Sequence, residues 1–146
     1  MRKKEGSAIA ADFSIRLKSL ENMVNEMEAA SKDFPEAMRK KLLERLQRAE
    51  LEACPLDERV LKELALYSEK FDVTEEITRL KSHLTQFRET CSANEAIGRK
   101  LEFILQEISR ELNTFCSKSS KSQSTAIALE ARVEIEKIRE QAMNIE

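Results

Sequence analysis

The sequence of 146 residues contains two glycines, two prolines and no tryptophan. An all-β sandwich needs many turns, which draw on glycine and proline, so this composition excludes that fold class. No apolar run approaches the roughly 20 residues that span a membrane. Basic residues open the chain, but no apolar stretch follows them. We therefore expect no signal peptide and no membrane anchor, and a cytoplasmic protein.

Cysteine and histidine are also scarce. Cys54, Cys91 and Cys116 are widely spaced, and they form neither a CxxC pair nor a zinc-type pattern with His83. We expect free thiols. A cysteine nucleophile would need a basic partner, but His83 lies eight residues before Cys91 and points elsewhere on a helix.

The charges are numerous but nearly balanced, with 25 basic and 27 acidic residues and a net charge of −2. This balance excludes a protein that binds nucleic acid through a broad basic surface. A local excess exists over residues 99–121, which hold five basic and three acidic residues. A composition that is 36% charged, with so little glycine and proline, is typical of long helices. The sequence therefore predicts an all-α protein.

Apolar periodicity and start signals predict about six helices. Four cover roughly 7–32, 35–53, 57–71 and 74–91; a fifth opens at the capping box Ser92–Glu95 and ends near 116, and the sixth covers 123–145. A further capping box, Asp72–Glu75, opens the fourth helix. Short breaks favour antiparallel hairpins. We expect residues 1–56 to form a helical hairpin arm, or a coiled-coil-like arm, and residues 57–146 to form a helical bundle.

The fifth helix carries an unusual polar face. Its core stripe is predicted at Leu101, Leu105, Ile108 and Leu112, and the opposite side presents Gln106, Arg110, Asn113 and Ser117. A solvated helix face is usually built from Glu and Lys, since those residues favour helices. Hydrogen-bonding residues in their place favour a binding face for a phosphate, a base edge or another subunit. An exposed or inter-helix hydrogen-bonded face is the alternative.

The fourth helix places Glu76, Arg79 and His83 together beside its apolar stripe. A carboxylate there can bind a metal or act as a base, and an arginine can hold a phosphate with its planar fork. Histidine exchanges protons near neutral pH. The alternative is a local ion pair beside a half-buried histidine. No glycine-rich phosphate loop and no HExxH motif is present.

Several long motifs resemble the YicC/YloC family. Asp72–His83 (DVTEEITRLKSH) is similar to its D-x-x-E-E-x-x-R-L-x-x-H segment. Residues 98–118 (GRKLEFILQEISRELNTFCSK) are similar to its GRKLDFxxQExxREINTxxSK. Arg139–Glu146 resembles its terminal REQVQNIE, and Arg2–Gly6 resembles the RxxEG that opens its long helices. The motifs follow one another in the family's order and cover nearly the whole chain.

The resemblance implies the helical C-terminal half of a bacterial, stress-related endoribonuclease without the family's N-terminal α/β half. It also implies phosphodiester hydrolysis of RNA, dependence on a divalent metal (Mn or Mg) and assembly into a homo-oligomer, a hexamer in the intact protein. Transfer to the RNA 2′-hydroxyl without metal, with His83 as base, is the alternative chemistry. We expect the fragment alone to cleave weakly or not at all.

Chemistry and motif matches together suggest residue roles. We expect catalytic roles for Glu76, His83, Glu107 and Arg110. RNA or phosphate binding is assigned to Arg79, Gln106, Asn113, Ser117 and Lys118. The candidate metal ligands are Glu75, Glu76, Glu107 and Glu111.

The sequence departs from the family pattern at Ser109, at Cys116 and in the loop of residues 120–122. The last departure leaves the role of that loop open. A second hypothesis is an assembly module without chemistry of its own. In that case the face of Gln106, Arg110 and Asn113 is a subunit contact, and the glutamates are ion-paired.

Overall fold

The computed structural model describes residues 2–48, 58–92, 98–119 and 123–143, with the backbone alone for residues 2–10. These residues form six α-helices and no strand: α1 Arg2–Ser31, α2 Phe34–Arg48, α3 Glu58–Glu69, α4 Thr74–Ser92, α5 Gly98–Ser119 and α6 Gln123–Ala142. The predicted all-α class and the six helices are confirmed. Three of the four residues of the capping box predicted at Ser92–Glu95 lie outside the described part of the chain.

Four helices share one core. The helix α5 packs between α4 and α6, and α1 contacts both α4 and α6, so the four form a closed ring around the buried side chains. The apolar stripe of α1 recurs every three or four residues, as a bundle helix requires. At the centre, the rings of Phe13 and Phe87 meet edge to face, with centroids 5.8 Å apart.

The first helix does not pack against the helix that the sequence predicted. The expected hairpin paired α1 with α2, but α1 packs in the bundle and α2 packs on α3. The reason lies in the two apolar stripes. The stripe of α1 is long enough to be buried fully at five positions (Phe13, Leu17, Leu20, Val24 and Met27), whereas no residue of α2 is buried. The predicted boundary between residues 56 and 57 lies outside the described residues.

The start of α4 is fixed by Asp72, as the sequence predicted. Its carboxylate accepts hydrogen bonds from the Thr74 backbone N–H, at 2.9 Å, and from the Thr74 hydroxyl. The capping box also expected Glu75 to turn back toward Asp72. Glu75 instead contacts Arg79, because an oppositely charged side chain lies one turn further along the helix.

Replacing Asp72 with alanine should lower the free energy of unfolding by about 1 kcal/mol, since the cap is lost. Asparagine keeps an acceptor, so Asp72→Asn should retain most of the stability at neutral pH. The hydrogen bonds from Thr74, more than the charge of Lys118, lower the pKa of Asp72. The folded carboxyl therefore contributes stability above the unfolded pKa, near 4, and loses it as the pH falls through the folded value. Urea unfolding across pH 2.5–7 measures this, and a pH dependence that is unchanged in Asp72→Asn would contradict it.

Among the helices that the structure describes, none combines the length and the apolar character that a membrane span requires.

Candidate functional site at the α4–α5 seam and the outer face of α5

The helices α4 and α5 run antiparallel, and two ion pairs join them. Lys118 donates a 2.8 Å hydrogen bond to Oε1 of Glu76, and Arg79 lies 3.6 Å from Oε1 of Glu111. Both glutamates are buried, with 3% and 6% exposure. Charged side chains are rarely buried without a partner, so the two cations offset the cost of burying these carboxylates. We call this set, with His83, the α4–α5 seam.

The contact between Glu76 and Lys118 is the most enclosed part of the seam. The ammonium of Lys118 also donates a 3.3 Å hydrogen bond to the backbone carbonyl of Asp72, just before α4 begins. The second carboxylate oxygen of Glu76, Oε2, is buried and has no hydrogen-bond partner among the described residues. The charge of Glu76 therefore depends on one lysine.

Arg79 bridges two carboxylates. It contacts Glu75 on its own helix and Glu111 on α5, and about half of its side chain remains exposed. The guanidinium can therefore hold Glu111 in place and still present N–H groups to solvent.

His83 lies two turns after Glu76 on α4 and is half-buried. Its Nδ1 atom is buried and, within the described part of the chain, has no hydrogen-bond partner. The helical rise separates His83 from Glu76 by about 10 Å along the axis, so these two predicted catalytic residues do not form a direct pair.

The polar face of α5 is exposed, opposite the buried stripe of the same helix. Phe103, Gln106, Arg110, Asn113 and Ser117 follow one another at intervals of three or four residues and all face solvent. We call this set the α5 outer face. Among the described residues, no hydrogen-bond partner engages the side-chain amides of Gln106 and Asn113. The guanidinium of Arg110 has one loose contact, 4.0 Å from Glu107, and its side chain is 78% exposed. These groups are therefore available to a ligand.

A groove between α5 and α6 borders this face. Gln106, Arg110 and Asn113 line one wall, and α6 supplies Arg132, Val133 and Leu129 on the other. The sequence reasoning missed the α6 residues. The signal was present, since Leu129 and Val133 lie off the buried stripe of Ala128, Ala131, Ile135 and Ile138.

The predicted site residues therefore divide between two neighbouring surfaces. Glu76, Arg79, His83, Glu111 and Lys118 form the seam, and Gln106, Arg110, Asn113 and Ser117 form the outer face, with Glu107 between them. The seam brings α4 and α5 residues together across more than 30 positions of sequence. It does not bring Glu76, His83, Glu107 and Arg110 into one cluster.

The predicted metal ligands do not form a ligand set. Within the described residues, no three His, Cys, Asp or Glu side chains come together as a cation site. Each of the four glutamates instead faces a cation: Glu75 and Glu111 face Arg79, Glu76 faces Lys118, and Glu107 faces Arg110. The side chains described in this chain therefore do not fit a metal ion by themselves.

The described cysteines are free thiols, as predicted, and Cys54 lies outside the described residues. Burial raises the pKa of the Cys91 thiol to about 11, and burial also raises that of Cys116. Because the thiolate is the nucleophile, both thiols are poorly reactive at neutral pH.

The fold and the seam define an all-α module with a conspicuous polar helix face, and comparison with known proteins identifies its family. The profile described as "Endoribonuclease YicC-like, C-terminal" matches residues 27–146. The chain belongs to this family.

Two curated relatives match over the whole chain. A "Probable endoribonuclease YicC" from Clostridioides difficile (strain 630) is 42% identical over 147 residues, which cover 100% of this chain and 50% of the relative. A protein of the same description from Haemophilus influenzae (strain ATCC 51907 / DSM 11121 / KW20 / Rd) is 36% identical over 146 residues, again 100% and 50%. The chain thus spans about half the length of the curated relatives it matches.

Proposed function

We propose that this chain is the helical half of an endoribonuclease, and that its α5 outer face and α4–α5 seam bind RNA and take part in cleaving it. The observation that carries the proposal is the set of unsatisfied donors on the outer face. Gln106, Arg110 and Asn113 are exposed and free of strong internal partners, and Asn113 lies inside the helix although asparagine is a weaker helix former than Glu or Lys. The family description and the names of the relatives support RNA as the ligand.

Each surface has a distinct role in this proposal. Arg110 binds a phosphate, because its guanidinium is highly exposed and only loosely paired. Gln106, Asn113 and Ser117 contact sugar hydroxyls or base edges. His83 transfers a proton through the more exposed edge of its ring, since the side chain is only half-buried although its Nδ1 atom is enclosed.

The ion pairs of the seam position these groups. Glu76 holds Lys118, and Glu111 holds Arg79, so both cations stand at the boundary between the core and solvent. Neutralising charge at phosphorus with fixed cations is an efficient form of catalysis, because the cations need not reorganise during the reaction. Glu107 lies 4.0 Å from the guanidinium of Arg110, between the seam and the outer face.

The predicted dependence on Mn or Mg stays a proposal for the intact protein. If a divalent ion acts, it would polarise the scissile phosphate or activate water. No three carboxylates of the described residues come together as a cation site, so the roles above belong to the side chains of this chain alone. Attack of the RNA 2′-hydroxyl, with His83 accepting its proton, is the other chemistry that the same residues allow.

The test uses a chimera in which this chain replaces the matching half of the Clostridioides difficile relative, with the unmodified relative as reference. We expect the chimera to cleave single-stranded RNA, and EDTA to abolish cleavage if a metal is required. The chain alone should cleave weakly or not at all. Arg110→Ala should weaken RNA binding about tenfold or more, with a salt dependence about 0.7 shallower in log–log slope.

Arg88→Ala is the matched control. Arg88 is also an exposed, ion-paired arginine, but it contacts Glu21 on the α1 side of α4. It should leave RNA binding unchanged. A folded chimera that does not cleave RNA, or equal losses in the two arginine variants, would overturn the proposal.

Assembly is a second candidate function, and the α2–α3 hairpin favours it. None of the α2 residues is buried, and Leu61 and Leu66 of α3 are 45% and 48% exposed. A two-helix hairpin of this kind stabilises itself by covering its apolar side with another surface. The α2–α3 hairpin is therefore a better candidate for a subunit contact than the polar α5 face. The predicted homo-oligomer, a hexamer in the intact protein, is tested by light scattering of Leu61→Gln/Leu66→Gln, which should lower the molar mass if the hairpin is the contact.

A further inference from the structure

Phe103 is the exception among the described aromatic residues. Its side chain is 62% exposed, whereas Phe13, Phe87 and Phe115 are buried. The remaining described rings, Phe34, Tyr67 and Phe71, are half-buried. A single exposed apolar residue needs no special explanation. Its position does call for one, because Phe103 continues the stripe of Gln106, Arg110 and Asn113 at the same spacing.

We propose that Phe103 stacks on a base of single-stranded RNA and thereby selects single strands over duplexes. This inference rests on the proposed RNA-binding function and adds the residue that distinguishes unpaired from paired bases. An aromatic ring offers a flat apolar surface to any base, so stacking favours unpaired nucleotides without strong sequence choice.

The outer face supplies complementary contacts. Arg110 lies two helical turns from Phe103, about 10 Å along the axis, and Gln106 lies between them. A strand that runs along α5 would meet a ring for a base, an amide for a base edge or sugar, and a guanidinium for a phosphate. In a duplex the bases are stacked on one another and would be inaccessible to the ring.

A protein partner fits this face less well than RNA does. Interface hot spots centre on a ring in a desolvated apolar surround. The neighbours of Phe103 along its stripe are instead polar: Gln106, Arg110 and Asn113 are exposed, and the exposed Ser117 donates its hydroxyl to the Thr114 carbonyl. Such a surround matches a ligand that carries phosphates and hydrogen-bonding bases.

The test measures binding of fluorescent RNA by fluorescence anisotropy, using this chain and the chimera. The probes are one single-stranded oligonucleotide, a blunt-ended duplex that contains this strand and has no unpaired bases, and the single strand with one abasic nucleotide at successive positions. Phe103→Ala should weaken single-strand binding about 5- to 150-fold and leave duplex binding unchanged. Phe103→Trp should bind at least as well as the wild type. Phe103→Leu should resemble alanine, because it keeps apolar area but lacks the ring.

Ile15→Ala is the control, since Ile15 is 70% exposed on α1, away from α5. One abasic position should weaken binding to the wild type but not to Phe103→Ala. Wild-type affinity in Phe103→Leu, or equal losses for duplex and single strand, would overturn the inference. A fall in molar mass on light scattering, parallel to the lost affinity, would make Phe103 a subunit contact instead.

The outcomes separate the two proposals. If the wild-type chain and the chimera bind no RNA, the proposed function fails and this inference fails with it. If both bind and the chimera cleaves, but Phe103 variants behave as the wild type, only the inference fails.

Discussion

Lys118→Met should lower the free energy of unfolding by about 3 kcal/mol. The change removes the one cation that contacts the buried Glu76, whose other oxygen already lacks a partner among the described residues. Removing one partner of a buried ion pair usually lowers the free energy of unfolding by about 3–5 kcal/mol. We expect the lower end because the Lys118 side chain is 30% exposed, so water can reach the gap. Urea unfolding of the chain measures the effect.

Two controls separate the buried charge from the loss of a lysine. Lys137→Met removes an exposed lysine that contacts Glu134 at 3.6 Å on α6, and it should cost less than 1 kcal/mol. The double variant Lys118→Met/Glu76→Gln should recover much of the lost stability, because no charge is then left buried. A Lys118→Met variant no less stable than Lys137→Met would contradict the account.

His83→Ala should slow RNA cleavage by the chimera about 10²- to 10⁴-fold, the usual contribution of a positioned proton-transfer group. Its half-buried ring makes no ion pair with the described residues of the seam, and its Nδ1 atom has no hydrogen-bond partner among them, so the fold should tolerate the change. Single-turnover kinetics with saturating RNA measure the rate of the chemical step. Ser82→Ala, one residue earlier on the exposed side of α4, is the control and should cleave at the wild-type rate.

Much of the helix plan was predictable from the sequence, because periodicity and caps are local. The predicted helix 74–91 is observed as Thr74–Ser92, and Asp72 precedes it as its capping residue. The core stripe of α5 was also predicted, since Leu101, Leu105, Ile108 and Leu112 are all buried. Periodicity finds the apolar face of a helix, but it does not find the helix against which that face packs. For this reason the prediction that α1 packs on α2 was wrong.

The same distinction governs the site. The shared face of Gln106, Arg110 and Asn113 follows from helix geometry and was predicted. The contact between Glu76 and Lys118 joins residues 42 positions apart and depends on the register between α4 and α5. The sequence offered both residues as site candidates but could not pair them. The prediction of a metal site assumed that the four glutamates come together around one ion. In the structure each of them faces an arginine or a lysine.

The central claim is that the α5 outer face binds RNA while His83, at the seam, serves the chemistry. The most direct test compares cleavage rate and RNA affinity in one chimera for His83→Ala and Arg110→Ala. We predict that His83→Ala loses rate and keeps affinity, whereas Arg110→Ala loses affinity. Wild-type rate in His83→Ala together with wild-type affinity in Arg110→Ala would contradict the account.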